Sequence, residues 1–233
     1  MSVQRTVHCS RGPSSAYLTK GHRNMGGLWD FEEEEQLPES NYFVFLTGGL
    51  DKFCARISSG PKLPPRYSNW MTGRRIDVDI PEPLIYEIDP EDEGKLRPFF
   101  REPGAQIMSN ELIVTLQQAG VSNLDTYNAI VRETRTGREY LDYKVVNIVG
   151  LVSGADLQKS KYSTSGLSDD CVLDLWFEKL VLDEDKLAGH LFFRLAENAS
   201  IVLMHRAIVD IIKSANIPGR EYLLFLHPGE FSG

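Results

Sequence analysis

Cysteine is scarce in this 233-residue chain, which contains Cys9, Cys54 and Cys171 and no others. An odd number of cysteines so far apart predicts neither a disulfide framework nor a zinc site, because both need paired or closely spaced thiols. Reduced thiols of this kind are typical of cytoplasmic proteins, and we expect that location. We also expect no metal and no other cofactor.

Long apolar runs are also lacking. The first 20 residues contain no apolar core of the kind that a signal peptide carries. The apolar stretch at residues 201–212 is interrupted by His205, Arg206 and Asp210, so it is too short and too charged to span a bilayer. The sequence therefore predicts no association with a membrane.

Basic residues are the minority among the charged side chains. The chain has 25 lysines and arginines and 33 aspartates and glutamates, which gives a formal net charge of −8 and an isoelectric point near 5.2. This balance argues against binding to nucleic acid, since phosphates would repel an acidic surface. It suits contact with a basic partner, and it also serves solubility alone.

Catalytic signatures are missing as well. The chain has no Gly-x-Ser-x-Gly elbow, no phosphate-binding loop and no Gly-x-Gly-x-x-Gly fingerprint. His190, His205 and His227 lie too far apart in sequence to share a helix face, and the carboxylates of 169–170 and 183–185 lie in hydrophilic segments. We therefore expect a protein that is not an enzyme. The alternative is a small-molecule enzyme whose carboxylates and histidines meet only in three dimensions.

Residues 140–160 contain the run on which the fold is centred. Between Val145 and Val152 most side chains are β-branched, and such side chains pack well on a pleated strand but crowd a helical turn. The run predicts a central strand that is covered on both faces. Asn147 is its one strongly polar residue, so we expect it to find a buried partner or a wet edge.

Shorter strands are predicted on either side of this run. Alternation of polar and apolar residues indicates a half-buried strand at 74–80 and another at 172–180, where Leu173, Leu175 and Phe177 should face the core. Thr136-Gly137 predicts a hairpin turn. Further short strands are predicted at residues 41–46, 83–88 and 191–195.

One pattern recurs at an offset of 96 residues. Four apolar positions and their later counterparts carry it: Met108, Leu112, Leu116 and Ala119, then Met204, Ile208, Ile212 and Ala215. Gly120 and Asn216 follow, and both residue types tolerate the left-handed conformation that ends a helix. The pattern predicts two similar helix–turn–strand units, with strands at 127–133 and 221–226. Chance similarity between two amphipathic helices explains the match equally well.

Together these patterns predict an α+β fold, with a mixed, largely antiparallel sheet, a few packed helices and the two similar units. Residues 1–27 are rich in serine, glycine and basic residues and are predicted to form a flexible arm. Residues 28–106 should form a strand- and loop-rich part, and residues 107–233 an α+β part. We expect these two parts to make one continuous fold.

Three segments carry a family resemblance, at residues 110–130, 143–160 and 191–219. Their most diagnostic portions are 143–147 with 156–160, and Phe193-Arg194-Leu195 with Glu197. In this order they resemble the Imm11-type (DUF1629) immunity proteins of bacterial polymorphic toxin systems, over roughly residues 40–228. The resemblance implies an α+β fold and a protein that binds and neutralises a cognate toxin without catalysis. It transfers no functional residues by position.

Toxin domains in such systems are often nucleases with basic clefts, so the resemblance implies an acidic contact surface on this chain. We predict it at two acidic clusters, Glu32, Glu33, Glu34 and Glu35 in the first and Asp89, Glu91, Asp92 and Glu93 in the second. A homo-oligomeric adaptor protein is the other alternative.

Overall fold

The computed structural model describes residues 39–48, 54–62, 70–88, 95–102, 105–164 and 175–233. Residues 39–233 form one compact unit. Its helices are α1 (Asn110–Gln118), α2 (Glu184–Leu187) and α3 (Arg206–Ser214). Its strands in chain order are β1 (Tyr42–Thr47), β2 (Ile57–Ser59), β3 (Leu84–Ile88), β4 (Phe99–Glu102), β5 (Ala105–Ser109), β6 (Leu124–Glu133), β7 (Glu139–Ile148), β8 (Leu151–Val152), β9 (Lys161–Thr164), β10 (Leu175–Lys179), β11 (Phe192–Leu195), β12 (Asn198–His205) and β13 (Leu223–Leu226).

These strands form two large sheets and a small one. The first large sheet has the order β2-β3-β6-β7-β5-β4, the second has the order β13-β1-β12-β11-β8, and β9 pairs with β10. Among the described strands, β3 runs parallel to β6 and β8 parallel to β11, while the other pairs are antiparallel. The predicted α+β class with a mixed, largely antiparallel sheet is therefore confirmed.

The predicted central strand lies inside the first sheet as β7, between β6 and β5. Val145 packs into one hydrophobic core and Val146 into the other, so both faces are covered as expected. The apolar run does not stay in one strand, however. Gly150 takes a left-handed φ of 103°, which a β-branched residue could not adopt cheaply, and β8 then joins the second sheet.

Asn147 finds a partner for its amide nitrogen, while its buried Oδ1 has no hydrogen-bond partner among the described residues. Its side chain is fully buried, and its Nδ2 donates to the carbonyl oxygen of Arg74 at 2.8 Å. Arg74 begins the segment that the alternating pattern predicts as a half-buried strand. That prediction is wrong, because residues 74–81 pair with no strand and are mostly exposed. Alternation alone does not make a strand where no neighbouring edge supplies the ladder hydrogen bonds.

The two segments at the 96-residue offset fold as the same kind of element. In β5-α1-β6 the two strands flank β7, and in β12-α3-β13 they flank β1. In both cases the flanked strand is antiparallel to its two neighbours. Both helices bury their apolar faces in one shared core, with Leu116 and its counterpart Ile212 fully buried.

The two helices end differently. Gly120 takes a left-handed φ of 97° after α1, and the amide of Val121 reaches back to the carbonyl of Leu116 at 3.0 Å, which closes the helix end. At the end of α3, Arg220 instead donates from Nη1 to the carbonyl of Ala215 at 2.9 Å. The two units are therefore similar in strand order, as predicted, but not in their helix caps.

In the small sheet, the described residues of 172–180 confirm which side chains were predicted to face the core. Leu175 and Phe177 are buried, whereas Trp176 is 60% exposed. The other strand predictions hold within one to three residues at their ends, and Gly137 makes the hairpin turn between β6 and β7. No helix within the described ranges is long and apolar enough to cross a membrane.

Candidate functional site

The residues that the sequence predicts as toxin contacts all lie outside the described ranges. This applies to the first cluster, Glu32, Glu33, Glu34 and Glu35, and to the second cluster, Asp89, Glu91, Asp92 and Glu93. The paired carboxylates of Asp169-Asp170 lie outside them too. The predicted contact surface therefore stays a prediction.

The structure does describe an exposed segment whose charged side chains are all acidic, which we call the acidic loop (residues 76–83); the exposed Arg74 and Arg75 come directly before it. Asp77, Asp79 and Glu82 are all exposed on it, and Val78 between the two aspartates is 41% exposed. The sequence gives no sign of this surface feature, because the alternation of aspartate with apolar residues predicts a strand.

The acidic loop is held in place against β6 and β7. Arg75 pairs with Asp125 at 2.8 Å, and the Glu82 carboxylate accepts a hydrogen bond from the backbone amide of Asn128 at 2.5 Å. The hydrogen bond from Asn147 Nδ2 to the carbonyl of Arg74 anchors the chain just before the loop. An ordered loop loses less conformational entropy when it binds a partner than a disordered loop does.

A cleft of about 320 Å³ lies where three loops meet. The loops follow α1 (residues 120–123), connect β7 to β8 (149–152) and lead from α2 into β11 (189–193). Each loop has a glycine with positive φ, which lets the backbone turn sharply there: Gly120, Gly150 and Gly189. The cleft therefore forms at the point where the chain passes from one large sheet to the other.

One asparagine joins the walls of this cleft. Asn123 donates from Nδ2 to the carbonyl oxygens of Val149 at 2.8 Å and Phe192 at 3.0 Å. His190 is exposed at the rim, and its ring meets that of Phe193 edge to face at a centroid distance of 5.6 Å. His190 is the one ionisable side chain in the lining of the cleft.

The other described histidines do not converge with His190. His205 and His227 each accept a backbone hydrogen bond at Nδ1, from Ala207 at 3.2 Å and Gly229 at 3.1 Å, so each caps the start of a helical turn. Within the described ranges, no group of three or more histidine, cysteine, aspartate or glutamate side chains is placed to hold a metal ion.

The residues that carry the family resemblance hold loops together. The buried carboxylate of Glu197 accepts from Ser153 Oγ at 2.6 Å and from the Gly154 amide at 3.3 Å. Asp156 pairs with Lys159 at 2.7 Å, and that hydrogen bond holds the pKa of the Asp156 carboxyl below its usual value. The Glu197 contacts fix the segment after β8 against the β11–β12 hairpin, and the Asp156–Lys159 pair lies within that segment, so both roles are structural.

Arg194 is the most deeply buried charge among these residues. Its Nη1 donates to the carbonyl of Ala199 at 2.8 Å, and its Nη2 to the carbonyl of Trp70 at 3.2 Å and to Gln106 Oε1 at 3.1 Å. Burial, and secondly the charge of Arg101, lowers the pKa of the Arg194 guanidinium to about 10. With its side chain fully buried, Arg194 joins three separate segments of the chain.

The chain matches no protein-family model. A search of curated proteins likewise finds no match.

Proposed function

We propose that this chain is an immunity protein, which binds a cognate bacterial toxin and neutralises it by covering its working surface, without catalysis. The proposal is supported by the resemblance of residues 110–130, 143–160 and 191–219 to the Imm11-type proteins, together with a net charge of −8. The single structural observation that supports it best is the exposed and well-anchored acidic loop.

The physical basis of the proposal is electrostatic. A negative surface is attracted to a basic cleft over distances up to about 8–10 Å at physiological salt, which raises the rate of encounter. A loop whose backbone is already anchored loses little further entropy on contact. Asp77 and Asp79 are exposed between the anchored residues Arg75 and Glu82, and Val78 between them offers apolar area for a short-range contact. We place the described part of the contact surface there.

The direct test begins with the gene beside the one that encodes this chain. Its product is purified with this protein, and complex formation is measured by isothermal titration calorimetry and size-exclusion chromatography. We expect a complex of fixed stoichiometry that dissociates more readily as salt is raised, since salt screens exposed charges. If the two proteins do not associate at micromolar concentrations, the proposal is wrong for that pair.

Charge reversal then locates the surface. Asp77→Lys with Asp79→Lys should slow association at least tenfold at low salt and much less at high salt, because steering acts on the association rate. A matched control is Asp210→Lys with Glu111→Lys, which makes the same change of charge at exposed positions on α3 and α1. A second variant, Glu91→Lys with Glu93→Lys, makes the same change of charge in the predicted cluster at 89–93. Equal effects of all three variants would show that net charge matters and that the contact lies elsewhere.

A further inference from the structure

We propose that the cleft between residues 120–123, 149–152 and 189–193 binds a small, uncharged aromatic ring that carries one hydrogen-bond donor, such as a phenol or an indole. The proposal does not depend on the immunity function. The same chemistry could reach the cleft on a free small molecule or on a tyrosine or tryptophan side chain of a partner, and the experiment below separates these two sources.

The lining of the cleft contains no ionisable side chain other than His190. No aspartate, glutamate, lysine or arginine is among the residues that line the cleft. A charged ligand would lose its hydration there without gaining an opposite charge, which costs free energy. The lining therefore favours a neutral ligand.

Polar groups in the lining have unused hydrogen-bonding capacity. Both described hydrogen bonds of the Asn123 side chain are donated by Nδ2, so its Oδ1 remains available to accept one. The exposed hydroxyl of Ser122 and the ring nitrogens of His190 have no described protein partner. A ligand with a donor would satisfy Asn123, and the serine and histidine lie on the same lining.

The size of the cleft and the apolar residues in its lining suit a ring. Val149, Leu151 and Leu191 are half-buried apolar residues of the lining, and a volume of about 320 Å³ is at the small end of the range for ligand pockets. The His190 ring at the rim is exposed, and aromatic rings favour edge-to-face or offset contact with one another. An aromatic ring therefore uses this site better than an aliphatic chain would.

The test is a titration of the full-length protein followed by backbone amide NMR, with p-cresol and 3-methylindole as probes. Gly120, Gly150 and Gly189 report on the three loops, since each lies in the lining. We expect saturable shifts at these glycines with millimolar affinity. Toluene, which lacks a donor, should bind about five- to tenfold more weakly, the equivalent of one hydrogen bond.

Variants confirm the position of the site. His190→Ala removes the exposed wall and should weaken p-cresol binding severalfold, while Ser122→Phe fills the cleft and should abolish it. Ser163→Phe, at an exposed position on β9, is the matched control and should leave binding unchanged. Absence of saturable shifts with both probes, or shifts that survive Ser122→Phe, would overturn the proposal.

The source of the ring is then decided with N-acetyl-tyrosinamide, which carries the phenol on a peptide backbone. Binding as tight as that of p-cresol would indicate that the cleft receives a side chain of a partner protein. Much weaker binding would indicate a free small molecule. Both outcomes retain the ring site and differ only in where the ring comes from.

Discussion

Arg101 and Arg194 occupy corresponding places in the two large sheets, and hydrogen bonds from both connect these sheets. Arg101 donates to the β11–β12 hairpin, which contains Arg194, and Arg194 donates to the β4–β5 hairpin, which contains Arg101. Each follows a Phe-Phe pair on the strand that precedes the β–α–β element, β4 in one case and β11 in the other. Arg101 Nη2 donates to the carbonyl of Ser200 at 3.1 Å, and Arg194 Nη2 donates to Gln106 Oε1 at 3.1 Å. These two hydrogen bonds connect the two large sheets next to the β5-α1-β6 and β12-α3-β13 elements.

Removing the Arg194 guanidinium should destabilise the protein strongly. Arg194→Met leaves the buried side chain of Gln106 and the carbonyls of Ala199 and Trp70 without this donor, and we expect a loss of about 2–4 kcal/mol in the free energy of unfolding. Arg101 is only partly buried, so Arg101→Met should cost about 1 kcal/mol. Urea denaturation measures the free energy of unfolding of both variants.

The control is Arg75→Met, whose exposed ion pair should contribute about 1 kcal/mol or less. Equal losses for Arg194→Met and Arg75→Met would contradict this account.

Two glycines with nearly the same backbone conformation should respond differently to alanine. Gly219 and Gly137 have φ values of 74° and 73°, so each alanine pays about 1–2 kcal/mol for the left-handed conformation. A Cβ at Gly219 would also lie 2.8 Å from the carbonyl oxygen of Leu96, whereas a Cβ at Gly137 meets nothing within 4 Å. Thermal denaturation should therefore show a distinctly larger loss for Gly219→Ala. Matching losses would mean that the close approach to Leu96 is relieved at little cost.

The stability of the protein should depend on pH through Glu184. This carboxylate accepts from Ser40 Oγ at 2.7 Å and from the backbone and side-chain nitrogens of Asn41 at 2.8 and 2.9 Å. Burial acts to raise the pKa of Glu184, but these hydrogen bonds, with the nearby His205, hold it below its usual value. The ionised form thus stabilises the folded state above the unfolded pKa of about 4.3, and this contribution is lost as pH falls through the lower folded pKa.

The measurement is the free energy of unfolding of wild type and Glu184→Gln from about pH 6 to about pH 3. We expect wild type to be more stable at the upper end and the difference to shrink as the pH is lowered. Glu221→Gln, at an exposed position, serves as the control. A difference that stays constant over this range would show that the charge of Glu184 is not what stabilises the folded state.

The sequence predicts those parts of the fold that local patterns dictate. The β-branched residues around Val145 are strand formers in any context, and the apolar spacing around Leu112 and Ile208 suits a helix with one buried face. These positions are buried as predicted. The change of sheet at Gly150 is different, because it depends on which distant strand the following residues can reach. No local pattern contains that information.

The candidate cleft illustrates the same limit. Ser122, Val149 and His190 belong to loops that are well separated in the chain, and they come together only because two sheets meet there. The acidic loop was missed for a related reason. Its alternation satisfies the rule for a strand, yet a strand also needs an unpaired edge beside it, and the edge next to β3 is taken by β2 and β6.

The most direct test of the central claim is a titration of the toxin's activity with this protein. Binding by occlusion predicts that inhibition is complete at a fixed molar ratio, is reached as soon as the complex forms and does not deepen with further incubation. Neutralisation of the toxin by substoichiometric amounts of this protein, increasing with time, would show that it works by turnover and would contradict the account.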